Sequence, residues 1–141
     1  MNILLLDEDQ ESMPHFVDVL ELSKNKVDQV ATRDDFLAAT AEKKYDLLIL
    51  DLMVPDANLA GIDTDAGYTA GVAIYSQLDP QKRETIPFMI YSAAPLNSST
   101  ISGKLSEYRK SPMCFGIFRK GVDDKAIRSK IAEIQGVPLD G

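Results

Sequence analysis

The sequence predicts an α/β fold, a doubly wound five-stranded parallel sheet in the order 2-1-3-4-5. Three observations lead there. Short apolar runs without polar alternation, such as Leu47-Leu48-Ile49-Leu50, read as strands buried on both faces, as in parallel sheets. Segments with helical spacing lie between these runs, so strand and helix alternate along the chain. Several runs stop abruptly at a charged or hydroxyl residue, and in open parallel sheets ligands bind beyond the carboxyl ends of the strands.

Asn2 to Leu6 is the first strand, ending at Asp7-Glu8-Asp9. Ser12-Met13-Pro14 opens a helix, with Ser12 as cap and the proline near the first turn. Phe16, Val17, Val19 and Leu20, extended by Leu22, form its apolar stripe. Val27 to Ala31 alternates and reads as an edge strand. Thr32, followed three residues later by Asp35, caps a helix that runs to about Lys43 and buries Phe36, Leu37 and Ala41. Leu47 to Leu50 ends at Asp51, with Pro55 four residues on. Residues 56–66 lack any period and form a long loop. Gly67 to Leu78 regains helical spacing, and Asp79-Pro80 closes it. Ile86 to Tyr91 is a fourth strand, ending at Ser92. Asn97 to Thr100 caps a short helix through Tyr108. Phe115 to Phe118 is a fifth strand, ending at Arg119-Lys120, with Cys114 just before it. Asp123-Asp124 begins a last helix that buries Ala126, Ile127, Ile131 and Ile134.

At 141 residues the length fits one domain, 1–141, with no output domain after it. No apolar stretch approaches the roughly 18 residues of a membrane helix, and the N-terminus lacks the basic leader of a signal peptide. One cysteine and one histidine exclude the usual zinc sites, and the lone Cys114 fits a reducing, cytoplasmic setting. The net charge of −7 argues against direct nucleic-acid binding. Its distribution is uneven: Tyr45 to Gln81 holds six Asp and no Lys or Arg, whereas from Lys82 onward ten basic residues face six acidic ones. That pattern suits a cation site near Asp51 and a separate docking face.

In the 2-1-3-4-5 order, strands 1, 3, 4 and 5 are neighbours. Asp7-Glu8, Asp51, Ser92 and Lys120 can therefore converge. Three carboxylates together would repel unless a cation joined them. Ligands made only of oxygen point to a hard ion, Mg²⁺. A carboxylate nucleophile, a divalent cation, a hydroxyl and a lysine are the parts required for phosphoryl transfer onto Asp.

On these residues the chain resembles the receiver domains of two-component response regulators, with their flavodoxin-like fold. The resemblance rests on Asp7-Glu8, Asp51 with Pro55, Ser92-Ala93 and Lys120, and spans nearly the whole chain. It implies that Asp51 is the phosphoacceptor, served by a histidine kinase or phosphotransfer protein. Glu8, Asp51 and the backbone carbonyl of Met53 would hold Mg²⁺ directly, and Asp7 through water. Ser92 and Lys120 would bind the phosphoryl group and carry the switch, altering affinity for a downstream protein. Such a domain catalyses only its own phosphorylation and dephosphorylation. Four features depart from the family pattern: Glu8 in place of the commoner Asp, Gly121 where a cis proline is usual, Ile117 at the switch position normally held by an aromatic, and about a dozen extra residues between Pro55 and Gly71. They support an alternative, a degenerate receiver that binds its partner without phosphate. Lys120, as a strand-end charge, is expected to be replaceable by alanine without harm to the fold.

Overall fold

The computed structural model describes residues 1–7, 14–22, 24–54, 70–93, 96 and 98–136. Five parallel strands, β1 (Asn2–Leu6), β2 (Lys26–Val30), β3 (Leu47–Leu50), β4 (Phe88–Ser92) and β5 (Cys114–Arg119), form one sheet in the order β2-β1-β3-β4-β5. The helices are α1 (Pro14–Leu22), α2 (Arg33–Glu42), α3 (Ala70–Tyr75), α4 (Pro80–Thr85), α5 (Ser99–Arg109) and α6 (Asp124–Gln135).

The lack of alternation in the strands has a direct cause. Side chains on successive strand residues point to opposite faces, and here both faces are covered. Leu4, Leu6, Leu48, Leu50, Phe88 and Ile90 pack in one cluster with Phe36 of α2, Val72 of α3 and Leu105 of α5. Ile3, Leu5, Leu47, Ile49, Met89 and Tyr91 pack in the other with Phe16 and Leu20 of α1 and Ile127 and Ile131 of α6. All four residues of β3 are fully buried, each worth about 1.5–3 kcal/mol of transfer free energy. β2 is the edge strand, and its residues after Lys26 are only partly covered.

Several expected elements differ in detail. Asp79-Pro80 starts a helix rather than ending one: Asp79 accepts from the Gln81 N–H at 3.1 Å, and Pro80 occupies the first turn of α4. The chain thus has six described helices, not five. Leu22 is exposed at the end of α1. On α2, Thr40 is buried where Ala41 was expected, its hydroxyl bonded to the Phe36 and Leu37 carbonyls, and Ala41 faces solvent. Ala126 is likewise exposed on α6. The segment beginning at Ser99 is an eleven-residue helix, longer than its polar sequence suggests. Ser12, Pro55, the loop at 56–66 and Glu8 lie outside the described residues. Among those described, no helix is long and apolar enough to cross a membrane.

β5 carries the fold's main irregularity. Phe88 pairs with Cys114 but Ile90 pairs with Ile117, so β5 holds one extra residue. Gly116 supplies it at φ +144°, and a Cβ there would lie 2.6 Å from the Phe118 ring. As a result Cys114 and Ile117, three residues apart, reach the same cluster, while Phe115 and Phe118 reach the other. A regular strand would have separated each pair.

Candidate functional site

β1, β3, β4 and β5 end side by side, and their last polar residues meet. The backbone ladder continues one residue past each of the first two strands: the Asp7 N–H donates to Val30 O at 2.9 Å, and the Asp51 N–H to Leu6 O at 2.8 Å. Both carboxylates are therefore carried on backbone that is held like a strand. Both are also withdrawn from solvent, Asp7 fully and Asp51 nearly so.

Lys120 closes the arrangement. Its Nζ donates to Asp7 Oδ2 at 2.7 Å and to Asp51 Oδ2 at 3.1 Å, with only 17% of its side chain exposed. Burial disfavours the ammonium and is the largest single influence on it. The hydrogen bond to Asp7 and the charges of Asp51 and Asp7 together outweigh burial, so the lysine pKa is raised. Ser92, fully buried, donates from Oγ to Asp51 Oδ1 at 2.6 Å. The Met53 N–H reaches the same oxygen at 3.3 Å, and the Leu52 N–H approaches Ser92 Oγ at 3.4 Å. The Lys120 N–H donates to Ser92 O at 3.0 Å, tying the ends of β4 and β5.

Asp7, Asp51, Ser92 and Lys120 are thus brought together as expected, and Met53 lies beside Asp51. Glu8 lies outside the described residues. Ile117 does not reach the site; it is partly buried against the α2–α3–α5 cluster. Among the described residues no group of three or more His, Cys, Asp or Glu side chains is placed to hold a metal ion. The two carboxylates that are described still fit a hard divalent cation. Both offer oxygen, both are buried, and both face the Lys120 ammonium.

Gly71 belongs to the site although nothing in its chemistry announces it. It lies at the start of α3, where a Cβ would fall 1.8 Å from the backbone oxygen of Asp51, and its N–H donates to Leu52 O at 2.9 Å. Only glycine lets the helix sit directly on the Asp51 peptide. Asp123 and Asp124 also act here. Their side chains accept from the Arg119 and Gly121 N–H groups, each at 2.8 Å, on either side of Lys120. The adjacent acidic pair just after Lys120-Gly121 is the available signal, although in sequence it marks only a helix start.

No profile of a known protein family matches the sequence, and no curated protein matches it significantly. Solved structures do match. A CheY-like response regulator receiver domain from Methanospirillum hungatei aligns over 96% of this chain and 94% of its own, with a TM-score of 0.71 and 17% identity. A response regulator receiver protein from Burkholderia phymatum covers 99% and 98%, with a TM-score of 0.66 and 16% identity. The fold is that of response regulator receivers. A third structure with the receiver fold, response regulator TrrA from Thermotoga maritima in complex with Mg²⁺–BeF, covers 94% and 97% with a TM-score of 0.67 and 17% identity. The receiver fold accounts for the strand order.

Proposed function

We propose that this chain is a cytoplasmic phosphoacceptor receiver in a two-component phosphorelay. Asp51 takes a phosphoryl group from a histidine kinase or phosphotransfer protein, and the phosphorylated form changes its affinity for a downstream protein. The observation that carries this reading is the convergence of Ser92 and Lys120 on the two oxygens of Asp51, with Asp7 alongside.

In the transfer, an Asp51 oxygen forms a bond to phosphorus as the phosphorus–nitrogen bond of a phosphohistidine breaks. The electron pair stays with the departing imidazole. Oδ1 carries the Ser92 hydroxyl and the Met53 N–H, while Oδ2 carries the Lys120 ammonium and keeps a second lone pair for the attack. Each partner then has a new acceptor within reach, the hydroxyl donating to a phosphoryl oxygen and the ammonium pairing with the added charge. Glu8, Asp51 and the Met53 carbonyl would hold Mg²⁺ directly and Asp7 through water, and the bound ion would neutralise charge on the transferring oxygens. Water attack on the acyl phosphate reverses the state, and no external metabolite is turned over.

Incubation with Mg²⁺ and acetyl phosphate, followed by intact mass, tests the reading. Wild type should gain one phosphoryl group, and Asp51→Asn should gain none. An unchanged wild-type mass would instead favour a module that binds its partner without phosphate, in keeping with Gly121, Ile117 and the extra residues between Pro55 and Gly71.

The signal should leave through α5 rather than through position 117. Ile117 is β-branched and stiff at χ1, so it offers no second rotamer of use. Asp51 touches α3 at Gly71, and the Tyr108 hydroxyl of α5 donates to Val72 O at 3.4 Å. Tyr75 adds an edge-on contact to Tyr108 at 6.3 Å between ring centroids. Beryllofluoride with Mg²⁺ should therefore change amide exchange in α5, and in residues 56–66, while β5 stays as it was. A change confined to β5 would overturn this route.

A further inference from the structure

Lys120 is followed by Gly121, at φ +79° and with open space where a Cβ would stand. A lysine has a long flexible stem, and a glycine beside it gives no steric hold. Yet the Lys120 ammonium is aimed at two carboxylates across the sheet. The hold comes from three successive backbone N–H groups, each with its own acceptor. Arg119 N–H donates to Asp123 Oδ2 at 2.8 Å, Lys120 N–H to Ser92 O at 3.0 Å, and Gly121 N–H to Asp124 Oδ1 at 2.8 Å.

The two aspartates do this at the expense of a more local use. Asp123 stands at the N-cap of α6 but makes no capping bond there, because its carboxylate is turned back to β5. A capping aspartate ordinarily serves the first N–H groups of its own helix. Asp124 Oδ1 accepts a second hydrogen bond, from the Tyr91 hydroxyl. Tyr91 is buried in β4, directly before Ser92, with its ring 5.2 Å from that of Phe16. Burial first, and the bond to Asp124 second, raise the phenol pKa, so Tyr91 stays a donor at physiological pH. Asp124 thus fastens the turn after Lys120 to the strand that carries Ser92.

We propose that Asp123, Asp124 and Tyr91 are positioning residues that hold the β5–α6 turn and so aim the Lys120 ammonium at Asp51. The inference rests on the reading of Lys120 as the phosphoryl-binding cation, but its hold on the lysine can be measured without phosphate. The experiment compares wild type, Asp124→Ala, Asp124→Asn and Tyr91→Phe by ¹³C relaxation of the Lys120 ε-methylene and by exchange of the Gly121 amide. Phosphorylation rates with acetyl phosphate and Mg²⁺ are measured on the same samples. Asp124→Ala should loosen the ε-methylene, speed Gly121 exchange, and slow phosphorylation by about 10- to 100-fold, the effect of misplacing a catalytic group by around an ångström. Asp124→Asn keeps an Oδ1 acceptor for both donors and should restore all three readouts. Tyr91→Phe, which leaves both aspartates at the helix start, should loosen Lys120 to a lesser degree and serves if Asp124→Ala folds poorly. A Lys120 side chain as ordered in Asp124→Ala and Tyr91→Phe as in wild type overturns the proposal, as does an asparagine variant no better than alanine. If wild type accepts no phosphoryl group while Lys120 still loosens in Asp124→Ala, the clamp stands and the phosphoacceptor reading falls.

Discussion

Replacing Lys120 with alanine should lower the stability of the metal-free protein by about 3–5 kcal/mol, the usual loss when one partner of a buried ion pair is removed. The side chain was expected to be dispensable because it stands at a strand end. Its surroundings say otherwise. Asp7 has no exposed side-chain surface and Asp51 only 7%, and Lys120 is the cation the described structure places between them. Without it two carboxylates face each other in a medium that screens poorly. Asp51→Asn should behave in the opposite way, leaving one carboxylate to one ammonium, and should recover part of the loss when combined with Lys120→Ala. The pH dependence carries a matching sign. The folded-state pKa of Lys120 is raised above the ordinary 10.5. The contribution is therefore fully present below the unfolded value and is lost as pH rises through the folded one. Urea unfolding in chelator, at neutral and strongly alkaline pH, reads both effects. A loss under about 1 kcal/mol in Lys120→Ala would place the pair among ordinary surface salt bridges and refute the argument.

The sheet was legible because its signal is chemical. Both faces of β1, β3 and β4 are covered by helices, so these strands are apolar between their ends, and the sequence shows it without a period. α4 was missed for the complementary reason. It is six residues long and buries no side chain, so it leaves no hydrophobic spacing to find. The signal it does carry, Asp79 before Pro80, is equally a stop for the preceding helix and a start for the next. Ala41 and Ala126 were assigned to buried stripes because alanine is apolar. A small side chain costs little in water, however, and on α2 Thr40 takes the inner position by returning its hydroxyl to the helix carbonyls.

The convergence of the candidate site was legible where strand-end side chains form it. Asp7, Asp51, Ser92 and Lys120 each end a strand, and strand order alone makes them neighbours. The ion pairing was not legible. Spacing shows that carboxylates meet, but only coordinates show that an ammonium reaches both. Backbone roles were legible only in part. Gly116 within an apolar run is a general sign of a bulge, but it does not tell that the bulge sends Ile117 and Cys114 to the same face. Asp123 and Asp124 were visible as a helix start, yet their carboxylates serve the preceding turn.

Gly71→Ala should cost about 3 kcal/mol and disable phosphoacceptance together, although the added group is one methyl. The ideal Cβ lies 1.8 Å from the Asp51 oxygen and 2.8 Å from its carbonyl carbon, about half and three-quarters of an ordinary contact distance. Both atoms are backbone, so no side chain can swing aside. Either α3 retreats or the Asp51 peptide turns. Retreat breaks the Gly71 N–H bond to Leu52 O and lifts Val72, Ile74 and Tyr75, all buried, from the core. Turning the peptide displaces the carboxylate from Ser92 and Lys120. Alanine's better helix propensity returns only about 1 kcal/mol, less than overpacking a core takes. Gly103→Ala is the control. It lies in α5 with nothing within 4 Å of its Cβ, so the same substitution there should stabilise by about 0.4–1 kcal/mol. Denaturation midpoints and intact mass after acetyl phosphate measure both variants. If Gly71→Ala kept the wild-type midpoint and still took up phosphate, α3 would not sit on the Asp51 peptide, and the route from Asp51 through Val72 to Tyr108 would lose its first contact.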